Sequence, residues 1–238
     1  MKYRLTIITV VKNDINGIKD TIESCILQKN NNNIQYIVIN SKSTDGTSDV
    51  IDKYLEDIDY YINENDSSIY NAMNKGLSLA RGEWCIFMNS GDYFLNSNSV
   101  SMLGLDNKSD FFVIACSYIE HSNLGPINII HKARNSIKYS LPSSHQAILV
   151  KTKIAKTICF QEQYKIGADY DLIVKILKKN INKLCVLRVI LCSADNSGFG
   201  RNVSLFKKDY HKIIYYNFGL LRALKYIILE KIAIIYKK

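Results

Sequence analysis

In its first hundred residues the chain alternates between two apolar patterns, and this alternation constrains the fold more than any other feature. Leu5–Val11 is a continuous β-branched run, as expected of a strand buried on both faces. Asn16–Gln28 then sets Ile18, Ile22, Cys25 and Ile26 on one helical stripe. Ile34–Ile39 reads as a second buried strand, Ser43–Gly46 as a turn, and Thr47–Leu55 as a helix. Tyr60–Ile62 is a short strand. Ser67–Ala80 is a helix turning Ile69, Ala72, Met73, Gly76 and Leu77 inward, and Trp84–Met88 is another strand. Strands joined by short helical crossovers predict an α/β fold with a Rossmann-like, mainly parallel central sheet and helices on both faces. Ligands of such sheets bind beyond the carboxyl ends of the strands. The polar residues expected there are Thr9 to Asp14, Asn40 to Asp45, Glu64 to Ser68 and Asn89 to Asp92.

The second half is less regular. Asp110–Tyr118, Pro126–His131, His145–Val150 and Leu184–Leu191 read as strands, with helices at Thr152–Thr157 and Asp169–Lys179. From Leu205 the character changes. Ile213, Ile214, Leu220, Leu221, Leu224, Ile227, Ile228 and Ile235 recur at helical spacing, punctuated by Lys212, Arg222, Lys225, Lys231, Lys237 and Lys238. Residues 205–238 therefore form a basic amphipathic helical extension of a domain spanning 1–204. The extension has two readings: a helix packed on the domain, or one lying on a membrane surface.

Charge narrows the partners only slightly. Lys and Arg number 31 against 22 Asp and Glu, a formal charge of +9, which suits phosphate-bearing partners without choosing among them. The six cysteines form no CxxC pair and sit mostly in apolar runs, so they read as buried hydrophobes of a reducing compartment. Leu5–Val11 has no cleavage site after it, and the best late apolar run, Tyr226–Tyr236, is broken by Glu230 and Lys231. A cytoplasmic protein is expected. The chain has no P-loop, GxGxxG or GxSxG motif, its four histidines lack zinc-type spacing, and it carries no nucleic-acid-binding motif.

What remains is a set of carboxylates and amides at strand ends. Asn89-Ser90-Gly91-Asp92 closes a buried strand with an acid that can hold a hard divalent cation or simply cap a turn. It belongs to an ordered series. Ile7-Ile8-Thr9-Val10-Val11-Lys12-Asn13 is followed by Ser43-Thr44-Asp45-Gly46-Thr47, Glu64-Asn65-Asp66 and Ile69-Tyr70-Asn71-Ala72-Met73-Asn74-Lys75-Gly76. Then come Gly82-Glu83-Trp84, the Asn89–Asp92 run and Leu141-Pro142-Ser143-Ser144-His145-Gln146-Ala147-Ile148. This series resembles glycosyltransferase family two, inverting enzymes of the GT-A fold, and is most similar to bacterial surface-polysaccharide transferases of the colanic-acid type.

The resemblance implies a nucleotide-sugar-binding half over 1–100 and an acceptor and catalytic-base half over 101–204. A donor, UDP-sugar by default, would lie across the carboxyl edge of the sheet against Thr9, Asn13, Asn40, Asp66, Tyr70, Asn74, Ser90 and Gly91. Lys75 reads as structural. Asp92 matches the metal-binding end of the family's DxD-type element, with His145 as a second metal residue, and Mn²⁺ or Mg²⁺ as cofactor. His145 equally fits contact with diphosphate or acceptor, or a purely structural place, and Gln146 is assigned to the acceptor. Asp169, in Gly167-Ala168-Asp169-Tyr170-Asp171-Leu172, matches the catalytic base, with a helix N-cap as the alternative. Ser197–Gly200 loosely resembles an acceptor-site loop.

The activity implied is transfer of a sugar to a hydroxyl of a lipid-linked or oligosaccharide acceptor in a bacterial surface glycan: capsule, O-antigen or exopolysaccharide. The extension would give peripheral contact with the inner face of the membrane. Asn40, Asn71, Asn89 and Ala168 stand where the family usually has acids. They motivate an alternative, a catalytically silent relative acting as a binding or assembly partner.

Overall fold

A computed structural model describes residues 3–31, 33–122, 125–138, 140–195 and 203–235. The first half forms β1 (Tyr3–Val11), α1 (Ile18–Asn31), β2 (Ile34–Asn40), α2 (Thr47–Ile51), β3 (Tyr60–Asn63), α3 (Ile69–Leu79) and β4 (Gly82–Phe87). β1 pairs in parallel with β2 on one side and β4 on the other, and β2 pairs in parallel with β3. The second half adds β5 (Tyr93–Phe94), β6 (Val113–Ser122), β7 (Gly125–His131), β8 (Ile148–Lys151), α4 (Thr152–Ile158), α5 (Ala168–Leu177), β9 (Leu184–Asp195), α6 (Val203–Phe218) and α7 (Leu220–Ile235).

All strands join one sheet in the order β3-β2-β1-β4-β8-β6-β9-β5, with β7 paired to β6. The parallel half ends at β4. β8 pairs antiparallel with both β4 and β6, while β6 and β9 run parallel. Because side chains alternate along a strand, β1 feeds two cores. Leu5, Ile7 and Val11 pack on the α1 side with Ile18, Ile22, Cys25 and Trp84. Ile8 and Val10 pack on the other side with residues of α3, α4, α5 and α6, including Leu77, Tyr170 and Ile213.

Four predicted elements differ in detail. The helix expected over Thr47–Leu55 stops at Ile51 and tightens into a 3₁₀ turn at Asp52–Tyr54. The strand expected from His145 begins at Ile148, because His145–Ala147 curls into a 3₁₀ turn closed by Ala147 N–H donating to Ser144 O at 2.9 Å. β9 runs on to Asp195, held between β6 and β5. The C-terminal stripe is two helices, broken at Gly219, whose φ of +86° is a conformation that favours glycine. Among the described residues no helix is long and apolar enough to cross a membrane. Ser197–Gly200 lies outside the described residues.

Candidate active site

The strand order reverses at β1, whose neighbours β2 and β4 lead away in opposite directions, and this is where an open α/β sheet leaves a crevice. A cavity of about 870 Å³ opens there. Its lining runs from Val10–Asp14 after β1, across Asn89, Ser90 and Asp92 after β4, to Ser144–Gln146 and Asp169.

Asp92 is almost fully buried. Its Oδ2 accepts from Gln146 Nε2 at 2.7 Å and its Oδ1 from the Asp195 backbone N–H at 2.8 Å. Burial, opposed by these hydrogen bonds and reinforced by the nearby Asp195 charge, pushes its carboxyl up to about 7. Gly91 has φ +90°, and a β-carbon there would lie 3.4 Å from the Asp195 carboxylate, so backbone and acid approach closely. Thr21 ties the loop down, accepting from Gly91 N–H at 3.0 Å and donating to Asp92 O at 2.7 Å. Ser90 Oγ donates to Asp14 Oδ2 at 2.6 Å.

On the same cavity wall, Asn89 Nδ2 donates to His145 Nε2 at 2.8 Å. This arrangement leaves the neutral ring's proton on Nδ1, which lies 3.7 Å from Asp169 Oδ2. Burial lowers His145 to about 4 and raises Asp169 to about 7, so both shifts favour the uncharged forms and the pair is not an ion pair near neutrality. Asp169 lies in the first turn of α5, but Gly167 occupies the N-cap. Asp171 is instead buried against α6, paired with Lys175 Nζ at 2.7 Å and accepting from Asn217 Nδ2 at 3.1 Å.

The structure redistributes several predicted site residues. Thr9 does not line the cavity. It is fully buried and donates to Met88 O at 2.8 Å, joining β1 to the end of β4. Asn40 is also sealed. Its Nδ2 reaches Ser48 Oγ at 2.9 Å and its Oδ1 accepts from Ser43 Oγ at 2.7 Å, so it shapes the loop after β2. Asn74 clamps α3 to the segment after α4 through Phe160 N–H and O, both at 2.9 Å. Gln146 donates to Asp92, whereas His145 accepts from Asn89 and stands 3.7 Å from Asp169 rather than against Asp92. Gly91 acts through its backbone.

Asn13, Asp66, Tyr70, Ser90, Asp92, His145, Gln146 and Asp169 do line the cavity. Asn13, at φ +51°, accepts from Thr44 N–H at 2.8 Å. Tyr70 hydrogen-bonds Ile166 O. Lys75, read as structural, pairs with Asp66 Oδ1 at 2.7 Å and with Glu64 at 2.6 Å. Asp66 Oδ2 is buried without a hydrogen-bond partner, as is Asn89 Oδ1. Asp195 and Glu120 also line the cavity; no sequence pattern signalled them, because both lie beyond the ends of the strands expected over Leu184–Leu191 and Asp110–Tyr118.

Among the described residues no cluster of three or more His, Cys, Asp or Glu side chains is preassembled for a metal. The cavity lining nonetheless offers oxygen ligands: two carboxylates, Asp92 and Asp195, and Asn89, whose amide oxygen has no hydrogen-bond partner. That set fits Mg²⁺ or Mn²⁺ completed by phosphate oxygens.

The sequence profile of "Glycosyl transferase family 2" matches residues 6–139, more than half of the chain. The chain belongs to that glycosyltransferase family. It is 25% identical over 211 residues to an uncharacterized glycosyltransferase of Mycobacterium tuberculosis, covering 82% of this chain and 76% of that one. It is 24% identical over 195 residues to chondroitin synthase of Pasteurella multocida, covering 76% of this chain and 20% of the synthase. Among solved structures, residues 1–349 of Staphylococcus aureus TarS with UDP superpose with TM-score 0.70 at 19% identity, over 90% of this chain and 65% of that fragment. The Pyrobaculum calidifontis mannosyltransferase PcManGT with GDP-Man and Mn²⁺ superposes with TM-score 0.64 at 14% identity, over 98% and 76%. These likenesses establish the GT-A fold.

Proposed function

We propose that this chain is an inverting, divalent-metal-dependent glycosyltransferase that moves a sugar from a nucleoside diphosphate donor to an acceptor hydroxyl. One observation carries the reading: Asp92, buried, and Asp169, partly buried, are both raised to about 7 and share a single cavity at the strand reversal. Asn13 and the Val10–Asp14 loop form the nucleotide end, where the orphaned Asp66 Oδ2 accepts a hydrogen bond from the donor. Asp92, with Asp195 and Asn89 Oδ1, would hold the divalent cation, which would supply positive charge against the leaving diphosphate. Asp169 takes the proton from the acceptor hydroxyl as that oxygen attacks the anomeric carbon from the face opposite the leaving group. His145 flanks Asp169, its neutral Nδ1–H 3.7 Å from the Asp169 carboxylate and so just beyond hydrogen-bond range.

UDP is the default nucleotide. UDP in TarS and GDP-Man with Mn²⁺ in PcManGT support a nucleotide-sugar donor and a metal. The acceptor proposed is a lipid-linked bacterial surface glycan, reached at the cytoplasmic face of the membrane through α7. The silent-partner alternative rests on missing acids. Asn40 and Asn71 lie off the cavity lining, which weakens it.

The test is a thermal-shift panel of UDP, GDP, CDP and ADP, each with and without Mn²⁺. A ligand at a hundred times its Kd adds about 2.7 kcal/mol, or roughly 5–10 °C for a chain this long. One nucleotide should do so only with Mn²⁺, and Asp92→Ala and Asp92→Asn should abolish the shift. If no nucleotide shifts the wild type, the transferase reading fails.

A further inference from the structure

A second, smaller cavity of about 180 Å³ shares Tyr118, Leu141, Ser144 and Tyr210 with the main one. These shared residues belong to the catalytic end: Ser144 precedes His145, and Tyr210 lies close enough to Asp169 for that charge to raise its phenol. The nucleotide end, Val10–Asp14, contributes nothing to it.

Its described lining holds His131, Lys132 and Arg134 and no acid. His131 is committed, its Nε2 lying 2.9 Å from Glu120 Oε2 and its ring stacked on Tyr118 at 4.7 Å. Lys132 and Arg134 are exposed cations. The Arg134 backbone N–H donates to Pro142 O at 2.7 Å, which pins the segment after β7 against the loop leading to His145. Burial and the Glu120 charge raise the Tyr118 phenol and the Arg134 charge opposes them, which places the Arg134 cation, together with the Glu120 carboxylate that pairs with His131, beside a residue common to both cavities. Lys165 adds a further cation to the lining of the main cavity. The volume equals roughly six waters, which suits a phosphate or carboxylate rather than a nucleoside.

We propose that the Lys132–Arg134 cavity is an acceptor subsite for an anionic group, a phosphate or a carboxylate carried next to the hydroxyl that is glycosylated. This rests on the transferase reading and goes beyond it by assigning the charge class of the acceptor. Arg is suited to the task because its planar fork matches both anions.

The test is calorimetric titration of the full chain with glucose 6-phosphate, glucuronate and glucose, with and without Mn²⁺ and the nucleotide selected by the panel. At least one anionic sugar should bind roughly tenfold or more tighter than glucose with the nucleotide bound. The Lys132→Ala/Arg134→Ala double variant should erase that preference. The tighter of the two anions distinguishes a phosphorylated acceptor from a uronate. Equal binding of glucose, a preference that survives in the variant, or displacement of the anionic sugar by the nucleoside diphosphate would each overturn the inference. Nucleotide binding with no anionic preference sinks this inference alone, whereas an anionic preference with no nucleotide binding leaves an anion site but sinks the transferase reading and, with it, the acceptor role.

Discussion

At the residue scale, the chemistry turns on one carboxyl and its neutral neighbour. Asp169 is raised from its ordinary 3.8 to about 7 by burial, while His145 is lowered to about 4. Asp169 accepts a proton only when ionised, so kcat/KM should climb with pH through about 7 and then level, with His145 adding no limb near neutrality. Asp169→Asn should lose roughly 10²–10⁴ in rate and keep only that part of the limb that Asp92, also raised to about 7, supplies. The same shift has a stability signature. A folded carboxyl of raised pKa holds its proton more tightly than the unfolded one, so its stabilising contribution is complete below about 4 and lost as pH rises through about 7. The Tm of metal-free Asp169→Asn relative to wild type should therefore increase across that window and stay flat above it. A pH-independent Tm difference would contradict the assignment. Asp169 and Asp92 were legible in the sequence from motif order. Asp195 was not, because its place beside Asp92 depends on how far β9 runs.

At the scale of elements, the C-terminal helices divide their labour. α6 is part of the core: Tyr210, Ile213 and Ile214 are buried, and Asp209 accepts from the Lys165 and Ile166 N–H groups at 2.6 and 2.9 Å. The turn at Gly219 then directs α7 outward. Leu221 is 85% exposed, and Leu220, Leu224 and Ile228 are more than 45% exposed, beside the exposed Arg222 and Lys225. Apolar side chains among cations are what an anionic bilayer surface attracts. Full-length protein should co-sediment with vesicles containing phosphatidylglycerol, more weakly at high salt, and Leu221→Glu/Leu224→Glu should bind several-fold less. Equal sedimentation of both would remove the membrane role. Deleting the segment from Leu205 onward is a poor test, because it takes core residues of α6 with it. The amphipathic period announced both helices, but not that α6 would be buried in the core while α7 keeps Ala223 and Tyr226 against it and exposes Leu220, Leu221, Leu224 and Ile228.

At the scale of the whole molecule, one sheet separates two apolar layers, and the thiols report on it. Cys25, Cys85 and Cys116 are pushed up to about 12 by burial, and Cys192 well above its ordinary value. All six cysteines are free, and only Cys159 and Cys185 are partly exposed. Ellman's reagent should therefore label at most two thiols in the native protein and all six after denaturation. Rapid native labelling of more than two would mean that the layers open readily.

The sequence by itself determined the α/β class and the parallel pairing of the first half, and it pointed to the strand ends where the cavity opens. These follow from short-range periodicity and from where polar residues interrupt apolar runs. Only the tertiary structure decided which polar residues face the cavity. Thr9 and Asn40, near the carboxyl ends of β1 and β2, and Asn74 on α3 were expected at the site alongside the loop residues Asn13 and Asp66, yet their hydrogen bonds close inward onto Met88, Ser48 and Phe160. It likewise placed Gln146 on Asp92 and brought Asp195, 103 residues from Asp92, to the same carboxylate. A side chain's partner across the sheet depends on long-range register, which no local pattern carries.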